Sequence, residues 1–210
     1  MFTGLISGVG SLAEAVAIGQ GRDARFTIAV PANNPHWANA GEIALGASIA
    51  CSGCCLTVIG RGADCFTVEV SEETLSRTTL GGWRPGSPVN LEASLRLGDE
   101  LGGHLVSGHV DGLGKAIAAT PENGSTRWRF HVPPTLAPYI AVKGSIAVNG
   151  VSLTVNAVQD DTDGAVFGVN IIPHTAAHTD FGALAVGENV NIEIDMLARY
   201  VARLRNFQLG

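Results

Sequence analysis

The chain is short of charge, and above all of positive charge. Only 15% of its 210 residues are Asp, Glu, Lys or Arg, and 13 basic against 19 acidic side chains leave a net charge of −6. Neutralising phosphates takes a basic surface, so nucleic acid is excluded as a partner, and an anionic membrane surface with it. Long apolar runs are missing too. The longest uncharged stretches, 45–60 and 144–159, fall short of the ~20 residues a membrane helix needs, and they carry Ser, Thr and Gly. The opening MFTGLISGVG has no basic segment and Glu14 interrupts the next apolar stretch, so no signal peptide is expected and a reducing cytoplasm is the default. Cysteine is sparse. Cys51, Cys54, Cys55 and Cys65 all lie in the first half, and without a signal peptide a disulfide framework is not expected. Their one C-x-x-C lacks the second pair of a zinc site, and on a strand Cys54 and Cys55 would face opposite ways. No metal is expected.

What the chain has in excess is glycine, 27 residues, where average usage is about 7%. With little charge and many Val, Ile and Thr, this reads as tight turns between short strands, an all-β protein. A hydrophobic share of 46% supports a sizeable core and argues against disorder.

The most informative feature is an internal repeat. Residues 46–58 (GASIACSGCCLTV) match 143–155 (KGSIAVNGVSLTV) at seven of thirteen positions, at an offset of 97. Phe66, Val68, Thr74, Thr78, Gly86, Val89, Asn90 and Glu92 recur 101 residues later as Phe167, Val169, Thr175, Thr179, Gly187, Val190, Asn191 and Glu193. Gly4, Gly8 and Gly10 recur 104 later as Gly108, Gly112 and Gly114. Three collinear blocks exceed coincidence, because β-patterning alone does not place Thr, Asn and Glu. The drift in offset is that of loop insertions between two copies of one fold.

Each copy offers about six short strands, which suits a closed antiparallel barrel without exposed edges. Candidate spans in the first half are Gly4–Ala17, Arg25–Val30, Ser48–Ile59, Cys65–Val70 and Val89–Glu92, with counterparts in the second. Read as one strand, Ser48–Ile59 puts Ser48, Ala50, Ser52, Cys54, Leu56 and Val58 on one face and Ile49, Cys51, Gly53, Cys55 and Thr57 on the other. The expected architecture is two tandem six-stranded Greek-key barrels, residues 1–97 and 98–195, with the boundary in the turn-rich LGDELGG near Leu97–Gly102. Residues 196–210 form a C-terminal helix capped by Asp195. Its Met196, Leu197, Tyr200, Val201, Leu204 and Phe207 share an arc of about 140°. That face either docks on its own barrel or joins subunits, and the residues alone leave both open.

Several segments resemble signatures of one known family. They are Met1-Phe2-Thr3-Gly4, Gly53-Cys54-Cys55-Leu56-Thr57-Val58, Glu72-Glu73-Thr74-Leu75, Gly102-Gly103-His104-Leu105-Val106-Ser107-Gly108-His109-Val110-Asp111-Gly112, Gly150-Val151-Ser152-Leu153-Thr154-Val155, Ile172-Pro173-His174-Thr175 and Val190-Asn191-Ile192-Glu193-Ile194-Asp195. In this order, over nearly the whole chain, they resemble the riboflavin synthase α-chain family. Ser52 departs from the family's usual Asn, which the second copy keeps as Asn149, so the turn geometry there is open. Cys51 and Cys65 are not signature residues.

The resemblance implies a dismutation of two 6,7-dimethyl-8-ribityllumazine molecules into riboflavin and 5-amino-6-ribitylaminouracil, with no cofactor. It implies a homotrimer, tipping the helix toward association, and admits lumazine synthase as a partner. By the same resemblance Cys55, Leu56 and Thr57 line an N-half pocket with Gly4, Leu5, Ile6, Glu69, Val70, Ser71, Glu72, Glu73 and Thr74. Ser152, Leu153 and Thr154 line a C-half pocket with Gly108, His109, Val110, Lys143, Asn170, Ile171, Ile172, Pro173, His174 and Thr175. Cys55, His109, Ser48, Asp195, Phe2 and His104 are the catalytic candidates. The chemistry has to remove a proton from a 7-methyl group, add a nucleophile at C7 of the second molecule and shuttle protons near neutral pH.

Each candidate also has a plain structural reading. Cys55 suits a small buried hydrophobe, Phe2 an apolar anchor, Asp195 a helix cap, Ser48 a turn, His104 a cap on the linker and His109 a structural imidazole. The rival function is a non-catalytic lumazine carrier. Both pockets keep their G-x-x-L-T-V cores together with Cys55 and His109, which favours the enzyme. The N-half of one subunit is expected to meet the C-half of its neighbour.

Overall fold

A computed structural model describes residues 1–208. Its strands follow the turn signals of the sequence. The first half contains β1 (Gly8–Ile18), β2 (Asp23–Ala29), β3 (Ser48–Cys51), β4 (Cys54–Arg61), β5 (Cys65–Val70), helix α1 (Glu72–Arg77) and β6 (Pro88–Ala93). All pairings are antiparallel, in the order β1-β2-β5-β4-β3-β6, and β6 returns to β1 to close the barrel. The second half repeats this with β7 (Gly112–Glu122), β8 (Ser125–Val132), β9 (Ser145–Val148), β10 (Val151–Thr154), β11 (Ala157–Asp161), β12 (Gly164–Ile171), helix α2 (Pro173–His178) and β13 (Asn189–Ile194). Here the equivalent of β4 breaks at Val155–Asn156 into β10 and β11. The seven-stranded sheet β10-β9-β13-β7-β8-β12-β11 therefore begins and ends on consecutive pieces of one chain segment. Bulges at Leu12/Glu14 and Ala116/Ala118 sit 104 residues apart, at the repeat's own offset. Each barrel is filled by its own apolar cluster, including Leu12, Phe66 and Leu91 in the first and Phe130, Phe167 and Ile192 in the second.

Ser48–Ile59 is not one strand. Ser52 and Gly53 make a two-residue turn with φ of +43° and +86°, so Cys51 pairs with Cys54 across a hairpin. Ile49, Cys51, Cys54, Leu56 and Val58 all point into the first core, while Ala50 and Cys55 face outward. The parity changes at the turn because two residues in a left-handed conformation reverse the chain. Asn149–Gly150 repeats the turn with φ of +47° and +79°, so Ser in place of Asn leaves its geometry unchanged. Burial raises the Cys54 thiol to about 12 and raises Cys51 as well.

The two hairpins meet back to back. A Cβ on Gly53 would lie 2.8 Å from Gly150 N, and one on Gly150 would lie 2.7 Å from Gly53 N, so only glycine admits the contact. Around it runs a polar seam of near-twofold symmetry. Asn191 Nδ2 donates to Ser52 O, and Thr79 N donates to Asn191 Oδ1, at 2.8 and 2.7 Å. Asn90 Nδ2 donates to Asn149 O, and Asp180 N donates to Asn90 Oδ1, at 2.9 and 2.8 Å. The symmetry fails at one pair: Asp180 and Asn149 stand where the first half has Thr79 and Ser52, and the Asp180 carboxylate accepts from both Asn90 and Asn149.

Helix α3 (Met196–Gln208) leaves the second barrel at Asp195, whose Oδ1 accepts from Leu197 N at 2.9 Å. Arg199 ties it to Asp111 at 2.8 Å. Its apolar arc is uncovered: Leu197, Tyr200, Val201, Leu204 and Phe207 are all at least 61% exposed. Among the described residues no helix is long and apolar enough to cross a membrane.

Candidate functional site

Two short straps carry the site. Residues 2–6 precede β1 and residues 106–110 precede β7, and each lies across the opposite barrel. They meet at an antiparallel bridge, Phe2 N donating to Val106 O at 2.7 Å and Val106 N to Phe2 O at 3.0 Å. Beyond it, Gly108 O accepts from Cys55 N at 2.7 Å and Gly4 O accepts from Ser152 N at 2.8 Å. Both contacts demand glycine. At Gly108 φ is +78° and a Cβ would sit 2.7 Å from that of Cys55; at Gly4 φ is +74° and the gap to Ser152 Cβ would be 2.6 Å.

This crossing corrects the expected membership of the pockets. Cys55 keeps company with Gly108, His109 and Val110, not with Gly4–Ile6, around a cavity of about 220 Å³ that Glu73, Thr74 and Arg77 also line. Gly4, Leu5 and Ile6 belong with Ser152, and both Ile6 and Leu153 pack against the second core. The reason is tertiary: the barrels sit back to back, so a strap leaving one reaches the outer face of the other.

Cys55 is half-buried and its in-strand neighbour Thr57 is exposed, both on the outward face of β4. Leu56 and Val70 point into the first core and Ile171 into the second, so they offer a ligand only backbone. Glu69 is exposed and paired with Arg25 at 2.6 Å. Ser71 caps α1 through Thr74 N, Glu73 reaches Arg77 at 3.1 Å, and Glu72 stays exposed. The repeat equivalents Ile172, Pro173 and His174 are exposed at the start of α2, with Thr175 half-buried. Asn170, Thr154 and Lys143 are exposed, and Lys143 N donates to Val155 O.

The histidines differ. His109 is exposed at the Cys55 cavity. His104 is half-buried with Nδ1 2.7 Å from Ser152 Oγ, and its Nε2 is buried without a partner. Burial lowers its pKa, and Asp195 opposes that shift. Burial thus favours the uncharged imidazole of His104, whose Nδ1 can share a proton with Ser152 Oγ, the direction being set by the tautomer. Ser48 stands apart, lining a separate cavity of about 470 Å³ with Trp37, Glu42 and Arg96. Phe2 is fully buried with Ala50, Val106 and Ala147, the packing of an anchor and not of an aromatic edge offered to a ligand.

Comparisons with known proteins follow the division into two barrels. Residues 3–94 and 107–195 each match the lumazine binding domain, the gap falling between the two barrels. Riboflavin synthase of Brucella abortus (strain 2308) is 45% identical over 213 residues, covering 99% of this chain and all of that protein. The chain belongs to the riboflavin synthase family. The Mycobacterium bovis member is 44% identical over 208 residues, 97% of this chain and 98% of that protein. Two crystal structures of LumP, complexed with 6,7-dimethyl-8-(1'-D-ribityl) lumazine and with riboflavin, share the fold with TM-scores of 0.78 and 0.80. Identity to them is 23% and 24%, over 92% of this chain and 99% of each of theirs.

Within this family frame, one pair of residues went unassigned by sequence reasoning. Glu92 and Glu193 are buried carboxylates whose oxygens are filled by strap N–H groups. Their signal was present: the repeat places the single charged residue of β6 and of β13 at the same point.

Proposed function

We propose that the chain catalyses the dismutation of two 6,7-dimethyl-8-ribityllumazine molecules, one donating a four-carbon unit to the other, to yield riboflavin and 5-amino-6-ribitylaminouracil. One observation carries this reading: a single chain builds the same strap-on-hairpin arrangement twice, Gly108 on Cys55 with His109 alongside and Gly4 on Ser152 with His104 alongside. Two similar pockets hold two identical molecules, and their unequal groups suit donor and acceptor roles. Orienting the pair supplies much of the rate, because a bimolecular encounter becomes a reaction within a complex. The neutral His104 beside Ser152 is suited to the proton transfers. The substrates exchange carbon and electrons with each other, so the reaction calls for no metal or redox cofactor, and we place it in the cytoplasm.

The bridge between the straps packs in one buried layer with Ala50 and Ala147, the strand partners of Cys55 and Ser152, and we take this layer to separate the two binding regions of one chain. Two lumazines on one chain are thereby held apart. This supports a productive site formed between the N-half of one subunit, residues 1–97, and the C-half of its neighbour, residues 98–195. Residues 196–210, of which 209 and 210 lie outside the described residues, would serve in association of a homotrimer, the exposed apolar face of α3 being of the kind that marks interfaces. Incubating the purified protein with the lumazine alone and following riboflavin absorbance tests the reading. Turnover is expected, and binding without turnover would establish a carrier instead.

A further inference from the structure

Glu193 is 3% exposed and Glu92 is 6% exposed, and each points its carboxylate at one strap. Glu193 Oε1 accepts from Ser107 N at 2.7 Å, and Oε2 accepts from Gly108 N at 2.9 Å and His109 N at 3.0 Å. Glu92 Oε1 accepts from Thr3 N at 2.6 Å and Thr3 Oγ1 at 2.7 Å, and Oε2 from Gly4 N at 3.0 Å. Three donors from successive residues converging on one anion fix a stretch of backbone in place. Among the described residues Glu193 has no ion-pair partner, so the strap itself compensates its charge. Every oxygen accepts from a strap donor, and Glu193 does not line the Cys55 cavity, so it acts there through the backbone it holds. What they control is where the strap lies, and the strap carries His109 on one side and Leu5 and Ile6 on the other.

We propose that Glu193 is the positioning residue that holds His109 at the Cys55 cavity, and that Glu92 does the same for Leu5 and Ile6 beside Ser152. Each pocket is then built on one barrel and set by a carboxylate in the other. For its kinetic readout this rests on the reaction proposed above; its binding readout is independent of it.

Glu193→Gln keeps the side chain's size but turns an amide NH₂ against at least one strap N–H in either orientation. Lumazine titration of the full-length protein should show one of two sites per chain weakened roughly tenfold or more, the other unchanged, with kcat/KM for riboflavin formation falling to match. In a His109→Ala background the same change should cost no more than about twofold, since the strap then has no imidazole to place. A purely structural role would lower the unfolding temperature, leave both affinities intact and give additive losses in the cycle, and that result overturns the proposal. If Glu193→Gln does not fold, Glu193→Asp with amide hydrogen exchange replaces it. Lost protection at Ser107, Gly108 and His109 together with a weakened site supports the proposal, and lost protection with unchanged affinity overturns it. Wild-type protein that binds lumazine without forming riboflavin would sink the reaction, while the site-selective loss could still be read from binding.

Discussion

Exchanging Asn149 for Ser and Asp180 for Thr, singly and together, tests how the seam between the barrels is held. The double change copies into the second half what the first half already has at Ser52 and Thr79. In the native seam Asp180 Oδ2 accepts from Asn149 Nδ2 at 2.6 Å and Oδ1 from Asn90 Nδ2 at 2.8 Å. Asn149→Ser takes one donor from a buried carboxylate, a loss of about 1.5–3 kcal/mol for a hydrogen bond to a charged group. Asn191 N should still find a hydroxyl, as Asn90 N finds Ser52 Oγ at 3.2 Å. Asp180→Thr leaves Asn149 Nδ2 without its acceptor, about 1–3 kcal/mol. Against that it removes a carboxylate whose burial lifts its pKa from 3.8 to about 6. A shift of that size corresponds to about 3 kcal/mol at neutral pH. The second single change is therefore near neutral; the double removes Asn149 Nδ2 together with its acceptor and leaves Asn90 Nδ2 the carbonyl of residue 149, much as Asn191 Nδ2 has that of Ser52, so it should lie within about 1 kcal/mol of wild type. The coupling between the two positions is about 2–3 kcal/mol. Urea unfolding at pH 7.5 reads this as midpoint shifts at constant slope. A double variant as unstable as the two losses added together would refute the reasoning.

The same contacts have other measurable consequences. Glu193 and Asp180 have folded pKa values raised to about 7 and about 6 from 4.5 and 3.8, so the stability they lend is full below about pH 4 and drains as pH rises through 7. Urea midpoints should fall between pH 5 and 8, less steeply in Glu193→Gln; a slope that steepens in that variant would contradict the assignment. If the proposed trimer forms through α3, Leu197→Asp with Leu204→Asp should give monomers that still bind lumazine, and light scattering that finds the wild type already monomeric would rule this out. Cys55→Ala/Thr57→Ala and Ser152→Ala/Thr154→Ala should each lose most turnover, and refolding the two together should restore part of it by rebuilding intact N–C interfaces. No recovery in demonstrably mixed trimers would mean that both pockets act within one chain.

Local order determined a good deal of this molecule. The repeat, the turn glycines and the alternation within each strand specified two antiparallel barrels, because a strand's period and a turn's φ depend on near neighbours. The arc of α3 was legible for the same reason, as was the cap at Asp195. The hairpin at Ser52–Gly53 was not: apolar residues at 49, 50, 51, 54, 55 and 56 run straight across it, since both faces of that hairpin are buried, one in the barrel and one against its twin. Pocket membership lay further out of reach. Gly4–Ile6 and Gly108–Val110 are near their own barrels in sequence, yet the back-to-back packing around Gly53 and Gly150 carries each strap to the other barrel. The pairing of His104 with Ser152 and the grip of Glu193 on His109 both follow from that crossing. Sequence by itself determined which residues would recur in two pockets. Only the tertiary structure decided which recurring residues share one, because contacts across 48 to 86 positions depend on how two finished barrels pack.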